Sequence, residues 1–333
     1  MKRIGIIGEG KMGTNIFNYL AGFGYGLTWI VSHDADVPSL EKTFQKRILR
    51  SFKSEMITGE QYDHLFSYTL ITPDLSKVQD CDLIIEAVSE NLRLKQIIFG
   101  QLDQYVSPEC ILATNSSSIL PSEILESEER KDKSVGLHFF YPVALKNIVE
   151  FIRLPETSET TVRAVAAFLK NINRKFVTLY PENSFLLNRI FLDLQVEAYA
   201  IVKEGAATYD QVDQFIKMYV TPSGVFEFCD HVGNDIMLTA VMNYTKREPE
   251  KEKYLPFMLK LDELVKEGRL GKKSGNGFFT YSKDEIVKKN PTFEPDPAAV
   301  RRIHMALDHS VKKFSLRSNI SEEKILELLK EYF

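Results

Sequence analysis

The chain reads as an α/β fold followed by an all-α one, a doubly wound sheet domain and then a helical domain. Short apolar runs alternate with helical periodicity through the first half, which argues a parallel sheet. After Pro181-Glu182-Asn183-Ser184 the pattern changes to long amphipathic stretches. At 333 residues the chain is also long for one core, so two domains are expected.

Arg3 to Ile7 is a short apolar run ending at a glycine, the first strand, and Met12 to Phe23 then carries apolar residues at helical spacing. Leu27 to Val31 reads as the second strand. Asp82 to Glu86 and Ile111 to Ala113 are buried strands closed by polar turns, and Ser134 to Leu137 is another. Val149 to Leu154 and Phe176 to Leu179 extend the pattern on either side of a helix starting near Ser158, with Ser158 as cap and Glu159 in the first turn. Phe185 to Lys203 is a long amphipathic helix stopped at Gly205. Asp210 to Lys217, the segment around Phe226, Ile236 to Asn243, and Tyr254 to Glu267 before Gly268 are further helices. The expected division is residues 1–182, residues 183–281, and a helical extension over 282–333. Arg302-Ile303-His304-Met305-Ala306-Leu307 faintly echoes Arg189-Ile190-Phe191-Leu192, so the extension reads as a partial repeat of the helical domain.

Hydrophobic content of 44% and charged content of 26% are those of an ordinary globular protein. A net charge of -4 favours neither nucleic acid nor an anionic membrane. No apolar run reaches the roughly 18 residues of a spanning helix. Met1-Lys2-Arg3-Ile4 mimics the charged end of a signal peptide, but Gly8, Glu9 and Lys11 break the apolar run at once. Cys81, Cys110 and Cys229 are too few for a disulfide framework and read as buried thiols, which fits the cytoplasm. No metal site is expected.

Gly8-Glu9-Gly10-Lys11-Met12-Gly13 lies between the first strand and the first helix. Gly8 permits the tight turn, Gly10 lets the backbone approach a pyrophosphate, and Gly13 lets the helix pack close to the sheet. Lys11 and Met12 open a helix whose N–H groups and dipole favour phosphate. This is the loop of a Rossmann-type dinucleotide fold. The acidic residue that ends the second strand of NAD-binding sheets is replaced by Ser32, with His33 and Asp34 after it. Asp34 could substitute if turned inward. NAD is expected, and NADP is the alternative that Ser32 leaves open. Glu9 puts a carboxylate near the phosphates, unfavourable unless it points to solvent or pairs with Lys11.

Beyond the loop come Asn115-Ser116-Ser117-Ser118, then His138-Phe139-Phe140-Tyr141-Pro142-Val143, then Val149-Glu150, then Asn188-Arg189. In this order and at these intervals, from Met1 to about Tyr281, the chain resembles the L-3-hydroxyacyl-CoA dehydrogenase family. The resemblance implies interconversion of a (3S)-3-hydroxyacyl-CoA and a 3-oxoacyl-CoA with a nicotinamide cofactor. His138 would be the general base and acid, because imidazole titrates near neutrality. Glu150 would orient it, Ser117 would hydrogen-bond the substrate's 3-oxygen, and Asn188 would help to place that oxygen. The resemblance further implies cofactor contacts from Glu90, Lys95 and Lys273. It also implies a CoA site bordered by Lys46, Arg47, Arg50 and Lys53, and a homodimer formed through the helical domain. On spacing alone, Glu90 and Lys95 fit a helix-start carboxylate and a solvated lysine equally well.

The sequence departs from the family at Ser32, at Tyr141 in place of an asparagine, at Asn183-Ser184 in place of Pro-Gly, and at Val225 in place of a proline. These departures leave two rivals. One is a dehydrogenase of another 3-hydroxy acid or a carrier-protein thioester. The other is a non-catalytic dinucleotide-binding or structural module. The extension is expected to cover apolar surface that relatives bury by dimerising.

Overall fold

The computed structural model describes residues 1–125, 128–246, 248–283, 285–287 and 296–332. The chain divides into two compact units, essentially Met1–Ser184 and Phe185–Glu331.

The first unit is built on one eight-stranded sheet: β1 (Arg3–Ile7), β2 (Gly26–Ile30), β3 (Thr69–Thr72), β4 (Leu83–Glu86), β5 (Ile111–Thr114), β6 (Ser134–Phe139), β7 (Ile148–Arg153) and β8 (Lys175–Leu179). Their order is β3-β2-β1-β4-β5-β6-β7-β8. The first six strands are parallel, joined by α1 (Lys11–Leu20), α2 (Val37–Lys53), α3 (Gly59–Tyr68), α4 (Leu92–Leu102) and the short α5 (Pro121–Ile124). The expectation of a parallel sheet fails at its far side. β7 pairs antiparallel with β6, and β8 pairs parallel with β7 after α6 (Glu159–Asn171). The link between Phe139 and Ile148 is too short for a parallel crossover, which needs about a dozen residues or more, so the strand turns straight back. Ser158 caps α6 through Thr161 N at 3.1 Å, with Glu159 in the first turn, as the sequence implies.

Successive residues of each strand face opposite layers. Ile4, Ile6, Leu83, Ile85 and Ala113 pack with Ile16, Phe17 and Leu20 of α1 and Phe168 of α6. Ile7, Ile84 and Leu112 face the other way, onto Phe99 and Leu102 of α4. This two-sided burial is why the strands read as apolar runs without alternation. The strand order reverses between β1 and β4, and the C-terminal ends of β1, β2, β4, β5 and β6 share one edge, where such sheets take their ligands.

The second unit is helical: α7 (Leu186–Lys203), α8 (Tyr209–Tyr219), α9 (Val225–Val232), α10 (Asn234–Thr245), α11 (Leu255–Lys266), α12 (Pro297–Ser318) and α13 (Glu322–Tyr332). Gly205 and Gly268 follow α7 and α11 with φ of +77° and +72°, the left-handed conformation that ends helices. Two buried aspartates organise the unit. Asp213 accepts Phe226 N and Glu227 N at 3.0 and 2.8 Å, capping α9. Asp230 accepts Phe278 N and Phe279 N, each at 2.8 Å, and so draws in the glycine-rich closing segment. A Cβ on Gly277 would lie 1.9 Å from Asp230 Oδ1, and one on Gly271 2.3 Å from the Asp230 carbonyl oxygen.

A two-stranded pairing of Tyr281–Ser282 with Glu285–Ile286 precedes the extension's helices. α12 packs along α7. Asp193, buried on α7, accepts Tyr254 Oη at 2.6 Å, Ser310 Oγ at 2.7 Å and Lys313 Nζ at 2.7 Å, with Lys253 Nζ at 2.9 Å. Arg302 bonds Glu197 and Glu204, both at 2.6 Å, and Arg317 and Arg189 converge on Glu248. Two of these acceptors, Asp193 and Glu197, stand on α7 and Glu204 caps its end, so the extension is bonded into the helical unit by charge as well as by Ile303, Val311 and Phe314, all buried.

Candidate active site

The glycine loop has the backbone geometry its spacing implies. Gly8 takes φ +106°, a conformation closed to most side chains, and a Cβ there would lie 2.9 Å from the Ala87 carbonyl oxygen. A Cβ on Gly13 would fall 2.0 Å from the Gly8 carbonyl oxygen, so only glycine lets α1 start this close to β1. At Gly10 an added Cβ meets no atom within 4 Å: the loop is open there, which fits a ligand that approaches the backbone. Lys11, Met12 and Gly13 form the first turn of α1, whose N–H groups have no acceptor within the helix. Trp29 fixes the loop by donating its indole N–H to Gly8 O at 2.9 Å.

Glu9 does neither of the things expected of it. Its carboxylate turns to the end of β2, where Oε1 accepts the Ser32 hydroxyl at 2.5 Å and Oε2 accepts Ser32 N at 3.1 Å. Lys11 lies instead over the Tyr141 ring, 4.4 Å from its centroid. Asp34 is exposed.

At the ends of β4 and β5 lies a buried polar network. Glu86, fully buried, accepts Lys95 Nζ at 2.7 Å and Val88 N at 2.7 Å on one oxygen and Thr114 Oγ1 at 2.7 Å on the other. Lys95 is 1% exposed and also lies 3.5 Å from Glu90. Glu90 Oε1 accepts Ser116 Oγ at 2.7 Å, Ser117 N at 3.1 Å, Ser118 N at 2.9 Å and Ser118 Oγ at 2.8 Å. Burial pushes the Glu90 carboxyl up, but Lys95 and the serine hydrogen bonds outweigh it and hold the group below its ordinary range. The solvated-lysine reading of Lys95 is therefore excluded. Glu90 is the post on which the Ser116-Ser117-Ser118 turn hangs, and Ser117 Oγ lies 3.5 Å from it.

His138 ends β6, and Glu150 sits opposite it on β7. Both are buried, and Nδ1 lies 2.8 Å from Glu150 Oε2. A carboxylate accepts, so Nδ1 carries the proton and the lone pair of the neutral ring is at Nε2. The Phe140 ring covers the imidazole, centroid to centroid at 4.3 Å. Asn115 ties the serine turn to the same strand by accepting Phe139 N at 2.9 Å. Glu150 lies on a strand paired on both sides, so it does not stand at a sheet edge.

The first unit thus brings together the glycine loop, Ser32, Glu90, Lys95, Ser117, His138 and Glu150 along one edge of its sheet. Arg47 and Arg50 lie exposed on α2, where Arg47 Nη2 donates to Asn18 O at 3.3 Å. Asn188 and Lys273 belong to the second unit. Asn188, half-buried on α7, donates to Tyr244 Oη at 3.0 Å, and Lys273 pairs with Asp235 at 2.6 Å. Sequence reasoning missed Glu86, Asn115 and the reach of Glu9. A carboxylate ending an otherwise apolar strand was the available signal for Glu86. Among the described residues no group of His, Cys, Asp and Glu could hold a metal ion, and no helix is long and apolar enough to cross a membrane.

Residues 3–182 match the family model described as 3-hydroxyacyl-CoA dehydrogenase, NAD binding domain, and residues 185–281 match its C-terminal domain. The chain is 30% identical over 289 residues to mouse mitochondrial hydroxyacyl-coenzyme A dehydrogenase, covering 84% of this chain and 91% of that one. It is 32% identical to 3-hydroxybutyryl-CoA dehydrogenase of Clostridioides difficile, over 84% of this chain and all of the relative. The crystal structure of (S)-3-hydroxybutyryl-CoA dehydrogenase from Ralstonia eutropha superposes with a TM-score of 0.76 at 32% identity, covering 85% of this chain and 100% of that one.

Proposed function

Because the chain belongs to the 3-hydroxyacyl-CoA dehydrogenase family, we propose that it interconverts a (3S)-3-hydroxyacyl-CoA and the matching 3-oxoacyl-CoA, with NAD as cofactor. The buried His138–Glu150 pair, on the ligand-binding edge of a dinucleotide sheet, carries the reading. A nicotinamide held at this edge would supply the acceptor or donor of hydride. In oxidation, His138 Nε2 takes the proton of the 3-hydroxyl, and Glu150 stabilises the imidazolium that forms while holding the ring's orientation. In reduction the same nitrogen returns the proton. Ser117 hydrogen-bonds the 3-oxygen from a turn that Glu90 keeps rigid. Gly8, Gly10, Gly13 and the first turn of α1 would hold the pyrophosphate, with Glu90 bordering the nicotinamide side and Lys95 acting through its pairing with Glu90. Arg47 and Arg50 offer cations to the CoA phosphates. The assignments of Asn188 and Lys273 rest on their motifs.

The test is acetoacetyl-CoA reduction by the purified protein with NADH and NADPH in parallel, followed by nicotinamide absorbance beside His138→Ala. Turnover that vanishes in the variant is expected. Absence of turnover with either cofactor, in protein that binds dinucleotide, would overturn the substrate assignment. The reading includes a homodimer formed through the helical unit, which sedimentation equilibrium tests, and a reducing compartment such as the cytoplasm, supported by three free, buried cysteines.

A further inference from the structure

The end of β2 lacks the carboxylate that such sheets use to hold the adenosine ribose, since the residue there is Ser32. A carboxylate nevertheless stands at that place. We infer that Glu9, from inside the glycine loop, replaces the missing strand-end acid: it accepts the ribose hydroxyls and excludes a 2′-phosphate, making the protein selective for NAD over NADP. This rests on the dinucleotide reading above and deepens it.

Both oxygens of the Glu9 carboxylate are fixed by Ser32, one by the hydroxyl at 2.5 Å and one by the backbone N–H at 3.1 Å. The acid is therefore aimed by two bonds rather than swinging in solvent. Gly8 N donates to Ile30 O at 2.9 Å, so the loop and the end of β2 are joined by backbone as well. A carboxylate has about four lone-pair sites, and two remain after Ser32 is served, enough for a vicinal diol. A 2′-phosphate would bring about 1.5 to 2 negative charges against this carboxylate. Asp34, exposed two residues beyond Ser32, adds a second negative charge, and the neighbouring residue is the exposed His33 rather than an arginine. A carboxylate near the phosphates is unfavourable in itself. The Ser32 clamp resolves this by turning it along the sheet edge toward the ribose.

Glu9 could instead serve only as a tether for the loop, and one substitution separates the two roles. Glu9→Gln keeps an acceptor oxygen for Ser32 but removes the charge. Dissociation constants for NADH and NADPH are measured by quenching of Trp29 fluorescence and by calorimetry, without substrate. The wild type should prefer NADH by well over tenfold. In Glu9→Gln the NADH constant should rise and the NADPH constant fall, shrinking the preference by about tenfold or more, since each is a charge-dependent contact. The double variant Glu9→Gly/Ser32→Asp moves the carboxylate to the strand end and should restore the preference, which also shows that the loop tolerates the change. If Glu9→Gln leaves the ratio within about twofold, or if the wild type prefers NADPH, the inference is overturned while the dinucleotide reading stands. If the wild type binds neither, both fall.

Discussion

His138 and Glu150 stand directly opposite each other across the antiparallel step of the sheet, and that register sets imidazole and carboxylate on one face, 2.8 Å apart. Glu150→Gln keeps the shape and loses the charge that an imidazolium needs. We expect kcat/KM to fall by about 100- to 10,000-fold with the NADH dissociation constant unchanged. Steady-state kinetics beside a binding titration checks this, and retention of turnover within about threefold would remove Glu150 from the mechanism.

Lys95 is sealed between Glu86 and Glu90. Lys95→Met would leave a fully buried carboxylate without its cation, and we expect a loss of about 3–5 kcal/mol in urea unfolding. Adding Glu86→Gln should return part of that loss, because the uncompensated charge goes with it. An additive double variant would show that the pair is not coupled.

Burial raises the Asp213 carboxyl to about 7, against the pull of two helix N–H groups. A carboxyl raised above its unfolded value binds its proton more tightly in the folded state. Its contribution to stability is therefore full below about pH 4 and declines as pH rises to about 7, by about 4 kcal/mol. Asp213→Asn does not titrate. Unfolding free energies between pH 4 and 8 should fall more steeply in the wild type than in the variant, and parallel curves would exclude the effect.

Asp193 behaves in the opposite sense. Burial alone would raise it, but Lys313 and Lys253 outweigh this and bring it to about 2. Its stabilisation is complete above about pH 4 and is lost as pH falls toward 2, a window that Asp193→Asn should remove. Lys313→Met should also destabilise, by about 2 kcal/mol or more, since it strips a buried carboxylate of its partner on the extension. Acid unfolding followed by circular dichroism reads both. A Lys313→Met protein as stable as the wild type would mean that α12 is held by its apolar face alone.

Much of the sheet and most helices of the second unit are legible in the sequence, because buried strands are written as apolar runs and the helix stops at Gly205 and Gly268 need left-handed backbone. β3 and α3 are not, since β3 buries only Ile71 and α3 only Leu65. The reversal at β7 is hidden because apolar strands buried on both faces look alike whichever way they run. In the site, residue types are legible and partners are not. Glu9 reads as a charge to be kept from phosphate, yet Ser32 lies across a strand pairing that no local pattern specifies. Spacing leaves Lys95 open between a solvated lysine and a site residue until the fold brings Glu86 against it.

The glycines of the first loop and of the closing segment look interchangeable in the sequence, but the space around them is not. Beside Gly10 there is room, and beside Gly277 there is Asp230. A methyl group at position 10 would be invisible to the apoprotein and felt only by a visitor, while one at 277 would be felt by every molecule as it folds. A survey of variants scored by cellular abundance would pass the first and reject the second, and only a survey scored by ligand binding would find both.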